Sequence, residues 1–160
     1  MVSMEDIKAI DLFADLTEQM QEKICPITVL RQFNERDVIY EEGDKAENFY
    51  MLKRGKILLE VEVSPMIIIS LGSIKSGYSF GWSALLPGST HTSYAVCADA
   101  CEVFFVPGNR FRELLDQDHT MGYQVMDATM KILKNRLERR TAQFLKVMSK
   151  HPDIQKLLGL

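Results

Sequence analysis

Asp37-Val38-Ile39-Tyr40-Glu41-Glu42-Gly43-Asp44-Lys45-Ala46-Glu47-Asn48-Phe49-Tyr50, continued by Met51-Leu52-Lys53-Arg54-Gly55-Lys56-Ile57, decides the fold. Residues 38–40 and 49–52 are short runs of β-branched, aromatic and other apolar residues, the composition of strands. Glu42-Gly43-Asp44 and Arg54-Gly55 are turn formers, and both glycines fall where the chain must reverse and a positive φ is needed. The same texture continues through residues 57–63, 67–71 and 103–106, broken by Ser64-Pro65 and Gly72-Ser73. Many short strands at close spacing predict an antiparallel sandwich or jelly roll across residues 27–107.

Within that region Ile57, Leu59, Val61 and Val63 alternate with Leu58, Glu60 and Glu62, the pattern of a strand with one face buried and one wet. The run 66–71 lacks alternation, so burial on both faces is expected there.

Helical periodicity flanks the strands. Ile7, Ile10, Leu12, Phe13, Leu16, Met20 and Ile24 recur mostly at three- and four-residue steps, giving one or two short helices that end before Pro26. Beyond Pro107 the pattern is helical again, and no proline interrupts residues 120–148, a helix of about 43 Å at 1.5 Å per residue. Met126, Met130, Leu133, Leu137, Arg140, Phe144 and Val147 form an a/d seam on it, with Arg140 the one charge. Such a seam either joins two chains as a dimer or packs on the sandwich of its own chain. His151-Pro152 should stop the helix. The expected organisation is a single domain over residues 1–160: N-terminal helices to residue 26, a β-roll at 27–107, and C-terminal helices at 108–150.

Composition narrows the function. The chain has 160 residues, 46% hydrophobic and 26% charged, enough for one domain with a real core. With 22 acidic and 19 basic residues it lacks the cationic surplus of a nucleic-acid domain, so direct DNA binding is not expected. No apolar run approaches bilayer-spanning length, and the start Met1-Val2-Ser3-Met4-Glu5-Asp6 has no signal-peptide pattern. Three cysteines in a chain of this size argue for reduced thiols. Together these point to a cytoplasmic protein without membrane contact.

Helical start, short strands and long final helix occur in that order in the cyclic nucleotide-binding domain, and the residues carry the likeness. Leu12-Phe13-Ala14-Asp15-Leu16 resembles that family's opening helix motif. The stretch 37–50 resembles its second-strand and turn signature, and Leu52-Lys53-Arg54-Gly55-Lys56-Ile57 is similar to the strand pair that follows. The resemblance covers essentially the whole chain and implies a mainly β fold: an antiparallel jelly roll (double-stranded β-helix) with short N-terminal helices and a long C-terminal dimerisation helix.

The resemblance also implies a ligand cassette, a short helix and the strand after it. Here that is Phe80-Gly81-Trp82-Ser83-Ala84-Leu85 through Thr92-Ser93-Tyr94-Ala95-Val96. In such a cassette a helix N-terminus meets a phosphate, glycine allows close approach, and an arginine forks onto the charge. A glutamate takes the ribose hydroxyl. This chain has Trp82 at the glutamate position and Thr92 at the arginine position, so ordinary cyclic AMP or cyclic GMP binding should be weak or absent. Trp82 either fills the space of the lost ligand or is a platform for a different one. Thr141, in Arg136-Leu137-Glu138-Arg139-Arg140-Thr141, retains the hydroxyl that catabolite-activator-like relatives present to the base. The expected binding residues are Phe80, Gly81, Trp82, Ser83, Ala84, Thr92, Ser93 and Thr141, for a nucleotide-like or other small ligand, with no definite cofactor.

Other chemistries are poorly served. Cys97 and Cys101 flank Ala98-Asp99-Ala100, which is not a Cys-x-x-Cys metal spacing, and His91 is a lone histidine, so no metal site is expected. Nothing combines a nucleophile with a base and an orienting acid. The expectation is a non-enzymatic sensor or regulatory module, a homodimer through its last helix. The alternatives are a protein-interaction scaffold for an unidentified partner and the sensor half of a transcriptional regulator.

Overall fold

A computed structural model describes residues 2–159. Ser3 starts helix α1 (Met4–Lys8) with a reciprocal cap: its hydroxyl accepts from the Asp6 N–H, and the Asp6 carboxylate accepts from the Ser3 N–H. Thr17 caps α2 (Glu18–Ile24) in the simpler way, and Pro26 follows in a 3-10 turn, Cys25–Ile27. Then come β1 (Val29–Phe33), β2 (Val38–Tyr40), β3 (Asn48–Arg54), β4 (Lys56–Ser64), β5 (Ile67–Lys75), β6 (Ser79–Phe80), a 3-10 helix at Trp82–Leu85, β7 (Tyr94–Cys97) and β8 (Cys101–Pro107). Helices α3 (Gly108–Gln117), α4 (His119–Met148) and α5 (Pro152–Leu158) complete the chain.

The strands form two four-stranded antiparallel sheets, ordered β1-β8-β3-β6 and β2-β7-β4-β5. Apart from the β4–β5 hairpin, consecutive strands alternate between the sheets in the manner of a jelly roll, and the fold is mainly β with flanking helices. Inside the roll pack Tyr40, Leu52, Ile57, Ile74, Phe80, Ala95, Cys97, Cys101 and Val103. Strand alternation turns Phe49 to the other face of β3, where its ring stacks on Phe111 of α3 at 5.5 Å, and Phe111 meets Phe13 edge-on at 5.9 Å. The expected turn glycines hold φ +89° at Gly43 and +102° at Gly55. At Gly55 a Cβ would lie 2.6 Å from the Cys101 Sγ, so close packing as well as conformation requires glycine there.

One expectation fails. The run 66–71 is not buried on both faces: Met66, Ile67, Ile68 and Ile69 are exposed, as is Val63 opposite them. β4 pairs with β7 only from Ile57 to Glu60, whereas it pairs with β5 out to Ser64. The outer half of the hairpin therefore projects past its neighbouring strand, and no second sheet among the described residues covers it.

The chain divides into two compact units, Met1–Val125 and Met126–Leu160. The second holds most of α4, then α5, which begins at Pro152 under a cap from His151. In this single chain Met126, Met130, Leu133, Leu137, Phe144 and Val147 are all exposed. No helix among the described residues is long and apolar enough to cross a membrane.

Candidate functional site

The cassette begins inside the roll. Phe80 ends β6 fully buried, and Gly81 follows at φ +72°, ψ 34°, turning the chain into the 82–85 helix. An L residue resists that left-handed conformation, and space is short too: a Cβ on Gly81 would meet Tyr50 Cδ2 at 2.6 Å. The Tyr50 ring thus lies against Gly81, where the resemblance places a phosphate.

Tyr50 belongs to a cluster of four rings. It stacks on Phe80 at 5.2 Å with 18° between planes and meets Tyr40 at 5.5 Å. His91 lies flat on Tyr40, 3.6 Å between centroids at 9°, and stands 6.3 Å from Tyr50. Backbone bonds fix His91, whose N–H donates to the Asp44 carbonyl and whose carbonyl accepts from the Gly43 N–H, both at 2.8 Å. Burial holds its imidazole below the ordinary 6.5, against an opposing pull from Asp44. Burial also pushes the Tyr50 phenol upward, partly offset by a side-chain hydrogen bond from Asn48.

The predicted site residues lie as follows. Trp82 is half-buried, its ring edge-on to Phe49 at 4.9 Å and so on the side of β3 that faces Phe111. Ser83 is half-buried and its carbonyl accepts from the Leu86 N–H. Ala84 is buried, and its carbonyl accepts from Arg112 Nη1 of α3 at 2.7 Å. Ser93 is buried, while Thr92 beside it is exposed. Thr141 is exposed on α4, in the other compact unit. Residues 80–84 are thus brought together with Tyr50, and Thr92 presents no charge to them. Sequence reasoning passed over Tyr40 and Tyr50 as strand residues, although their places in the 37–50 signature already carried a signal. Phe49 faces the helices, so Tyr50 must face the roll.

Among the described residues no group of three or more His, Cys, Asp or Glu side chains could hold a metal ion. Cys97 and Cys101 are buried free thiols, and Cys97 is pushed up to about 12 by burial and by its neighbour Cys101.

Jelly roll, left-handed glycine and short helix together define a domain of the ligand-sensing regulatory type. The sequence profile of the cyclic nucleotide-binding domain matches residues 30–118, more than half of the chain, and the chain belongs to that family. Among solved structures it is similar to a protein from Geobacter metallireducens GS-15 described as cyclic nucleotide-binding, at 27% identity and TM-score 0.75, covering 86% of this chain and 99% of that one. A c-di-GMP responsive global regulator from Xanthomonas campestris shares the fold at 19% identity and TM-score 0.70, covering 86% of this chain and 74% of the regulator. So does the regulatory subunit of a cAMP-independent protein kinase A from Trypanosoma brucei, at 13% identity and TM-score 0.67, covering 98% of this chain and 49% of the subunit.

Proposed function

We propose that this chain is a regulatory module that does not answer to cyclic AMP or cyclic GMP, because its roll is occupied by its own aromatic rings. The observation that carries the reading is Tyr50 packed against Gly81, where a Cβ would meet its ring at 2.6 Å, so the ring crowds the glycine by which a phosphate would approach the 82–85 helix. The side chains add to it. Losing a glutamate and an arginine, each worth about 1.5–3 kcal/mol as a charge-assisted hydrogen bond, costs roughly two to four decades of affinity. His91 does not replace the arginine, since burial keeps it neutral at pH 7. Of the relatives named above, one is described as c-di-GMP responsive and another as belonging to a cAMP-independent kinase, which fits a fold that leaves the ligand open. The module is regulatory rather than catalytic, acts in the cytoplasm as one domain over residues 1–160, and pairs with a second copy along the exposed α4 seam. If a small ligand enters the cassette, Phe80, Gly81, Trp82, Ser83, Ala84, Thr92 and Ser93 are the residues to meet it once Tyr50 has moved.

Calorimetry with cyclic AMP and cyclic GMP tests this: no binding tighter than about 10 µM is expected, on the decades of loss given above. A micromolar or tighter dissociation constant overturns it. Trp82→Glu with Thr92→Arg restores the polar pair but should gain affinity only when Tyr50→Ala is added. A full gain from the pair alone would show that Tyr50 is no obstacle.

A second reading, a scaffold for protein partners, is favoured by one observation, the exposed apolar tip of the β4–β5 hairpin at Val63 and Met66 to Ile69.

A further inference from the structure

A cavity of about 400 Å³ opens outside the roll, between the turn that follows the 82–85 helix and the start of α3. None of Tyr40, Tyr50, Phe80 or His91 lines it. Its volume is that of a small-molecule site, and Ala46, Leu86 and Pro87 give it an apolar wall.

Its polar side carries one guanidinium, Arg112, and one carboxylate, Glu47. Arg112 reaches the cavity half-buried, spends Nη1 on the Ala84 carbonyl at 2.7 Å, and forms no ion pair with any described residue. A guanidinium has five N–H donors, and this one keeps most of its fork for an acceptor that the chain does not supply. Beside it the ten-residue helix α3 begins at the cavity edge, with Pro107 as an N-cap that has no side-chain acceptor to offer. The Gly108 N–H is taken by the Glu47 carbonyl at 2.8 Å, whereas the next N–H groups have no intrahelical partner. Arg112 and the helix start favour an anion, and exposed Glu47 on the rim disfavours a second negative charge on it.

We propose that this cavity is a ligand site for a small organic acid carrying one carboxylate, held by Arg112 and the first turn of α3, with its apolar part on Ala46, Leu86 and Pro87. Such an acid touches both the cassette turn and α3. It also lies beside Asn48, which lines the cavity and whose carbonyl would lie 3.4 Å from a Cβ on Gly81, so occupancy is felt next to that glycine.

The test is a titration of the full chain with sodium acetate, butyrate and benzoate, read by amide and guanidinium nuclear magnetic resonance, with sodium chloride as the salt control. Saturable shifts are expected at Asn48, Leu86, Asn109 and the Arg112 Nε, with affinity rising from acetate to benzoate as more apolar surface meets the wall. Asn109→Asp sets a carboxylate on the first turn of α3, where it suits the helix and leaves Arg112 on Ala84. It should weaken binding at least tenfold without lowering stability. Arg112→Lys keeps the charge, loses the fork and should weaken binding as well. The proposal is overturned if no shift saturates below 50 mM, if chloride reproduces the shifts, if Asn109→Asp binds as tightly as wild type, or if the shifts centre on Gly81 and His91 instead.

Discussion

Replacing Gly81 by alanine tests whether Tyr50 lies on the cassette. Two penalties add at this position. The residue sits at φ +72°, where an alanine costs about 1–2 kcal/mol relative to glycine. Its Cβ would also come within 2.6 Å of Tyr50 Cδ2, with the Asn48 carbonyl at 3.4 Å. The ring cannot simply swing aside, because Phe80 stacks on it at 5.2 Å and Tyr40 abuts it at 5.5 Å. Forcing a methyl into a packed site of this kind costs about 1–3 kcal/mol more, giving roughly 2–5 kcal/mol in all. Urea unfolding of Gly81→Ala, Tyr50→Ala and the double variant separates the two parts. The conformational penalty persists without Tyr50, whereas the steric one disappears, so a coupling of about 1–3 kcal/mol is expected between the positions. Equal destabilisation by Gly81→Ala in both backgrounds would place the ring elsewhere and remove the main support for an occupied roll.

Three further outcomes follow from the same structure. Because burial lowers the His91 pKa from 6.5, the unfolded chain takes up a proton below that pH that the folded site resists. The contribution of His91 to stability is therefore full above about pH 6.5 and is lost as the pH falls toward its folded value; His91→Phe, which keeps a ring on Tyr40, should flatten urea midpoints between pH 5 and 7, and an unchanged slope would refute the assignment. Cys97, pushed up to about 12, should react with Ellman's reagent at pH 8 only as fast as the roll opens, so prompt labelling of native protein at Cys97 would contradict its burial. If the α4 seam joins two chains, Leu133→Asp with Leu137→Asp buries unpaired carboxylates at several kcal/mol and should give a folded species of half the mass by light scattering; a wild type already monomeric at tens of micromolar would dispose of the seam.

The order of elements was legible because each strand announces itself locally. Val38-Ile39-Tyr40 and the 49–52 run sit in β2 and β3, and Gly43 and Gly55 take the positive φ that their turn contexts require. The 66–71 run misled because periodicity reports composition and not coverage. An apolar run reads the same whether another sheet lies over it or the strand runs past its neighbour, and here the pairing with β7 stops at Glu60. Short β6 was hidden for the opposite reason: two residues, Ser79 and Phe80, carry no period at all, and pairing with Tyr50 and Met51 makes them a strand. The α4 seam was legible in pattern, but an exposed a/d stripe in one chain does not say what covers it.

The cassette shows where substitution patterns stop being sufficient. Trp82 and Thr92 announced a loss of ligand contacts, and reading them alone left Trp82 either to fill the space or to serve as a platform for another ligand. The backbone assigns the space otherwise. Position 82 follows a left-handed glycine at the start of a 3-10 helix, and its indole packs edge-on to Phe49, which stacks on Phe111 of α3. The ring that covers Gly81 comes instead from β3, one position along from Phe49, because alternate residues of a strand face opposite sides. Tyr50 is held there by Phe80 and Tyr40, and the exposed Thr92 extends no charge toward it. A phosphate needs donors and an opening, whereas a tyrosine face needs only apolar neighbours, which Phe80 and Tyr40 supply. On the proposed reading, restoring the donors without removing the ring leaves the phosphate excluded by volume, and a steric barrier of this kind does not fall with salt or pH as a missing charge would.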